Sequence, residues 1–182
     1  PAPGVSMFAT TIMTALTATD YYQPNDILTV KSEWNVGQVI GFKSGEKLTF
    51  ENLLYSMLVG SGNDAAYILA ENYPGDLTKF IEAMNSKAQN LNLKETNFAD
   101  VAGIDTAGHY TTVHDLAIIT AEALKNPLIS KVVSTNKVEI FDAEHKYHYL
   151  LENTNKLLGQ LEGMKGVKTG WTESAGECLV AY

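Results

Sequence analysis

Arginine is absent from this chain. All 13 basic residues are lysine, set against 21 acidic ones, for a net charge of −8. Nucleic-acid binding needs clustered cations to neutralise phosphates, so an acidic chain without arginine is a poor candidate for it. The excess negative charge reads as a solubility device. Cysteine occurs once, at Cys178, which excludes an internal disulfide. Its setting, Cys178-Leu179-Val180-Ala181, reads as a buried strand with a packed thiol rather than a reactive one. No apolar run reaches the roughly 18 residues a membrane-spanning helix needs. No metal pattern stands out among the histidines. His145 and His148, three apart in an expected strand, fall on opposite faces. His109 and His114 flank a helix start without a His-Glu-x-x-His motif. No internal repeat or low-complexity tract is present.

What is present suits one domain of ordinary hydrophobicity, or part of a larger one: 182 residues, 45% hydrophobic. Thr10 to Thr19 is apolar and uncharged, the composition of a buried helix. The segment 20–26 is a loop around Pro24, and 41–49 is rich in turn signals. Phe50, Leu53, Leu54, Met57 and Leu58 recur at helical spacing behind Thr49 as N-cap. A second helix follows Ser61, and a third runs from about Asp76 to Asn90. Thr112-Val113-His114-Asp115 is a capping box opening a fourth helix through Leu124, which Asn126-Pro127 stops. Lys137 to Phe141, Lys146 to Leu151, Val167 to Thr169 and Glu177 to Tyr182 read as strands, the last two joined by 170–176. Helices first and strands last argue for an α/β (α+β) domain, a helical lobe packed on a sheet.

Two short motifs carry chemistry, and each has a plain structural alternative. Ser61-Gly62-Asn63 sits at a loop-to-helix junction, where a serine and an amide two residues apart can point into a cleft. Ser61-x-x-Asp64 is equally a capping box, with Ser61 doing no more than starting a helix. Lys168-Thr169-Gly170 can be a strand that ends in a turn. It can also be a strand edge offering backbone groups to an extended peptide. Lys168 then adds positive charge, Thr169 a hydroxyl, and Gly170 room for close approach.

Over nearly its whole length the chain resembles the D-alanyl-D-alanine carboxypeptidases, low-molecular-mass penicillin-binding proteins of the serine peptidase S11 type. The resemblance rests on Ile12 to Leu16, Gly45 to Thr49, Leu53-Leu54-Tyr55 and Ser61 to Ala66. It continues through Gly108 to Thr112, Asp115-Leu116-Ala117, Asn153 to Leu158, Gly166 to Gly170 and Ala175 to Ala181. Order and spacing fit, which favours a functional over a capping role for Ser61. The resemblance implies a serine β-lactamase/DD-peptidase-like fold, present here as one catalytic domain over 1–182. It implies cleavage of the terminal D-Ala-D-Ala bond of peptidoglycan stem peptides through an acyl-enzyme, and acylation by β-lactams. Ser61 would relay protons and Asn63 would bind the substrate amide; Lys168, Thr169, Gly170 and Thr172 would hold the peptide. Neither a metal nor an organic cofactor is implied, and the expected location is extracytoplasmic.

The chain departs from the family where the reaction starts. The family pattern around the nucleophile reads approximately Ala-Ser-Thr-Thr-Lys-Ile-Met-Thr-Ala-Leu; this chain has no serine or lysine between Met7 and Leu16. Without gaps, Phe8 replaces the serine and Thr11 the lysine. With two one-residue gaps, everything matches except the two catalytic residues. Deleting one residue turns a helix by about 100° beyond that point, so two such losses would disrupt a core helix. The expectation is therefore that these 182 residues omit a serine before Thr10 and a lysine after Thr11. The antiparallel sheet is also expected to be incomplete, as in a fragment lacking its first and last strands. A non-catalytic relative that binds stem peptide, and a β-lactamase, remain as alternatives.

Overall fold

The computed structural model describes residues 6–172 and 176–182, with side chains for 9–170 and 176–182. Helix α1 (Ser6–Ala18) is followed by strands β1 (Ile27–Thr29) and β2 (Lys47–Thr49). Three helices come next: α2 (Phe50–Leu58), α3 (Asn63–Asn72) and α4 (Asp76–Asn90). After a long irregular stretch come α5 (Val113–Leu124) and α6 (Pro127–Val133). Two hairpins close the chain, β3 (Lys137–Phe141) with β4 (His148–Glu152), and β5 (Val167–Thr172) with β6 (Gly176–Ala181).

Helix α1 is the axis of the fold. A helix without charge cannot present a polar face to water, and this one is buried all round, from Ala9 through Ala18. It packs on α2, α3, α4, α5 and β5. Thr14 bonds inside the core, its Oγ1 donating to the Val101 carbonyl at 2.7 Å. Burial of α1 therefore fixes where the surrounding elements can lie.

The starts of α2 and α5 follow their caps. Thr49 Oγ1 accepts from the Asn52 amide, and Thr112 Oγ1 from the Asp115 amide, each at 3.1 Å. Two helix signals resolve differently. Gly62, not Ser61, is the N-cap of α3, and no side chain caps it. Asn126-Pro127 ends α5 as expected but also begins α6: Asn126 Oδ1 accepts from the Leu128 and Ile129 amides, and Pro127 occupies the first turn, where its missing N–H costs nothing.

Among the described residues the strands form three small two-stranded antiparallel sheets, beside the helices of a mixed α+β domain. Strand β5 runs past Thr169 to Thr172, because Gly170 still pairs with Cys178 across the hairpin. His145 is not in a strand with His148. The Asp142 carboxylate accepts the Glu144 and Tyr147 amides, folding that stretch into a turn that places His145 at φ 54°. The strand around Cys178 is only half-buried, since exposure alternates along β6 and Leu179 is 45% exposed.

Replacing Asn126 by alanine removes both capping bonds of α6 and should cost about 1 kcal/mol, read as a lower midpoint in urea unfolding with an unchanged far-UV spectrum.

Candidate active site

The first wall of the site is built at the start of α3. Ser61 sits at φ 57°, a left-handed conformation that a serine adopts only under constraint. The constraint lies on its C-terminal side: the Gly62 amide donates to the Ser56 carbonyl at 2.9 Å, and the Asn63 amide to the Gln38 carbonyl at 2.7 Å. Asp64, buried behind them, accepts from the amides of Ile40 at 3.0 Å and Gly41 at 2.8 Å. Asn63 Nδ2 adds a bond to the Val36 carbonyl at 3.0 Å. Together these bonds clamp the segment 36–42 onto the N-terminus of α3. The close approach requires glycine at two points. A Cβ on Gly62 would meet Ile40 at 2.5 Å, and one on Gly37 would meet Asn63 at 2.5 Å.

The opposite wall is β5, which brings in Lys168. Its Nζ donates to Ser61 Oγ and to the Thr169 carbonyl, both at 2.7 Å. The side chain is 2% exposed and forms no ion pair among the described residues. Burial without a counter-charge disfavours the ammonium and lowers the Lys168 pKa from 10.5 to about 8. Thr169 Oγ1 donates to Thr154 Oγ1 at 2.5 Å, tying β5 to the segment after β4.

Between the walls lies a cleft of about 910 Å³. Gly37, Gln38, Ser61 and Asn63 line one side; Thr169, Gly170, Glu177 and Cys178 line the other, with Thr154 and Asn155 at the end. Beneath it a cavity of about 10 Å³, the size of one water, is enclosed by Thr11, Ser61, Asn63, Ala102, Lys168 and Thr169. The position directly before Ile12 therefore faces Ser61 and Lys168. In the ungapped alignment that is the lysine position, and here it holds threonine. Helix α1 runs through it unbroken. The neighbouring Thr10 turns away to His109, whose Nε2 lies 2.7 Å from Thr10 Oγ1. The Ala99 amide donates to His109 Nδ1, so in the neutral ring Nε2 carries the proton and donates to Thr10.

Five of the expected site residues thus converge: Ser61, Asn63, Lys168, Thr169 and Gly170. The capping role for Ser61 is excluded, since its hydroxyl faces the lysine of a distant strand. Thr172 ends β5, and its side chain lies outside the described residues. Sequence reasoning missed Gly37, Gln38, Thr154 and Asn155 as site residues. The stretch from Asn153 to Leu158 was a usable signal for the last two. Nothing local marks Gly37 and Gln38, which arrive through the clamp on Asp64 and Asn63. Asn155 is buried at the cleft end, its Nδ2 lacking a hydrogen-bond partner among the described residues.

A family model for D-alanyl-D-alanine carboxypeptidase matches residues 7–182. The chain belongs to this carboxypeptidase family. A D-alanyl-D-alanine carboxypeptidase of Bacillus subtilis, DacF, is 37% identical over 145 residues, covering 80% of this chain and 37% of the relative. One from Streptomyces sp. K15 is 36% identical over 146 residues, covering 75% and 50%. The crystal structure of the Streptomyces K15 DD-transpeptidase superposes with a TM-score of 0.89 at 31% identity, covering 97% of this chain and 74% of that one. The fold is therefore the α+β fold of these DD-peptidases. This chain spans half or less of the length of those two carboxypeptidase relatives.

Two variants probe the family's site as built here. Asp64→Asn keeps the shape but loses the charge that gathers the loop amides. It should cost about 2 kcal/mol and loosen the 36–42 segment, read by urea unfolding and by faster amide exchange at Ile40 and Gly41. For Lys168 the sign follows from its depressed pKa. Above about pH 8 the folded chain has released a proton that the unfolded chain keeps up to its ordinary value of 10.5. Stability contributed at this site therefore rises with pH through that window. Relative to Lys168→Met, the wild type should gain about 2–3 kcal/mol between about pH 7 and about pH 10, measured by denaturant titration; a flat difference would contradict the assigned burial.

Proposed function

We propose that this chain is the peptide-binding body of a serine-type D-Ala-D-Ala carboxypeptidase that trims peptidoglycan stem peptides. The observation that carries the reading is the Lys168–Ser61 hydrogen bond at the floor of a cleft walled by a strand. An extended peptide laid along β5 finds backbone donors and acceptors there, with Gly170 leaving space beside the strand. Lys168 supplies the positive charge toward the terminal carboxylate, Thr169 a hydroxyl, and Asn63 an amide that lines the cleft. β-Lactams, as mimics of the dipeptide, take the same place. Peptidoglycan as substrate puts the reaction outside the cytoplasmic membrane.

Acyl-enzyme chemistry in this cleft needs a serine and a lysine on α1. The serine oxygen attacks the carbonyl carbon between the two D-alanines, and a lysine one turn later accepts its proton. The terminal D-alanine leaves as the amine, and water then hydrolyses the ester. Positions 8 and 11 of α1 are three apart and share a helix face. A lysine in place of Thr11 would enter the cavity next to Ser61 and Asn63. Thr11 itself favours a second reading, in which the chain binds stem peptide without cleaving it, because a threonine hydroxyl cannot serve as the amine base.

Intact mass separates the two readings. A mass above that of the 182 residues by one serine and one lysine, with a penicillin adduct mapped to α1, supports the carboxypeptidase. A mass equal to the sequence, with no adduct on α1, supports binding alone. In that case the double variant Phe8→Ser with Thr11→Lys should gain a penicillin adduct on the new serine. Both readings expect a D-Ala-D-Ala peptide to bind and Lys168→Ala to weaken it at least about tenfold. Absence of binding to the wild type by calorimetry would sink both.

A further inference from the structure

A second cavity, of about 510 Å³, lies where α4 and α5 meet the C-terminal end of α1. That volume is in the range of small-molecule sites. It shares no lining residue with the cleft, and Thr17 on its wall stands about 9 Å farther along α1 than Thr11. Thr10, Thr14 and Thr19 have hydrogen-bond partners. Thr17 is buried, and its hydroxyl has none among the described residues. A buried hydroxyl left unpaired is costly, which a ligand hydroxyl in this cavity would offset.

The charges around the cavity select the ligand. Asp20 and Glu122 bring carboxylates, but Lys87 pairs with Asp20 and Lys125 with Glu122. An anion would meet those carboxylates and the negative end of α1. A cation would have to displace Lys87 or Lys125. A neutral ligand rich in hydroxyls meets neither obstacle, because the Asp20–Lys87 pair presents it with an acceptor beside a donor. Asn90 adds an amide that offers both. Tyr21 is 50% exposed at the cavity, its ring fixed by edge contacts with Tyr22 at 4.9 Å and Tyr73 at 5.0 Å. A fixed, exposed ring packs against the apolar C–H face of a pyranose, whose rim of hydroxyls then meets the polar groups.

We propose that this cavity binds a neutral saccharide, an N-acetylated amino sugar. Ala83 and Leu91 on its wall give the acetyl methyl apolar surroundings. The choice of an N-acetylated sugar, the unit of a peptidoglycan strand, rests on the stem-peptide reading; the saccharide class rests on the cavity alone. Bound here, the glycan gives the chain a second hold on the polymer whose stem peptide enters the cleft. Two weak contacts joined through one polymer reinforce each other.

The test is titration of the isotope-labelled chain with tri-N-acetylchitotriose, a neutral glycan without peptide, read by amide shifts in NMR. The expected result is a Kd of about 1 mM, with shifts at Thr17 to Tyr21, Lys87 and Asn90. Tyr21→Ala and Asn90→Ala, each confirmed folded by its thermal transition, should weaken the sugar at least about fivefold and leave D-Ala-D-Ala peptide affinity unchanged. Maltotriose, which lacks acetamido groups, should bind at least about fivefold more weakly than the chitotriose. No shifts by about 20 mM sugar, shifts confined to the cleft, or wild-type affinity in both variants would each overturn the proposal. Tighter binding of spermidine at the same amides would make this a cation site and overturn it as well. Equal binding of maltotriose would overturn the amino-sugar assignment. Because the probe carries no peptide, its failure leaves D-Ala-D-Ala binding untouched, and failure of the peptide to bind leaves the sugar result standing.

Discussion

The burial of one lysine amine organises this molecule's site. Lys168 comes from a strand late in the chain, and the hydroxyl it meets is 107 residues earlier. A buried ammonium with no carboxylate beside it among the described residues is costly, so its hydrogen bonds to Ser61 and Thr169 must be held firmly. That requirement ties β5 to the N-terminus of α3. Helix α1 makes the tie possible, because it is apolar enough to be buried on all sides and packs against both elements.

A second constraint shapes the cleft. The Asp64 carboxylate collects amides from a loop that has no regular structure of its own, and Asn63 grips the same loop from the front. Gly37 and Gly62 make that contact sterically possible. The wall facing β5 is therefore a loop made rigid by side chains of a helix start. A wall held in this way would receive the proposed peptide without rearranging, which would limit the ordering cost of binding.

Much of the fold is legible in the residues alone. Helices α2, α4 and α5 follow from apolar spacing and from Thr49 and Thr112 as caps, because local hydrogen bonds decide where a helix begins. The structure departs from expectation where a local signal has two solutions. Asn126-Pro127 stops one helix and starts another, since the same asparagine can cap the next helix. Ser61-x-x-Asp64 has the form of a capping box, yet each side chain is claimed by a distant partner, Lys168 for one and the 40–42 amides for the other. The turn that removes His145 from its expected strand is dictated by Asp142, a residue that carries no signal of its own.

The sequence by itself determined the family, the buried helix α1 and the residues available for chemistry, including the lack of a serine and a lysine between Met7 and Leu16. These are matters of residue identity and order, which the chain carries in full. Only the tertiary structure decided that Thr11 faces Ser61 and Lys168, and that Gly37, Gln38, Thr154 and Asn155 belong to the cleft. It also turned Lys168 from one lysine among 13 into a buried amine that loses its proton near pH 8. Solvation and distance set those properties, and both arise only when segments far apart in the chain are packed together.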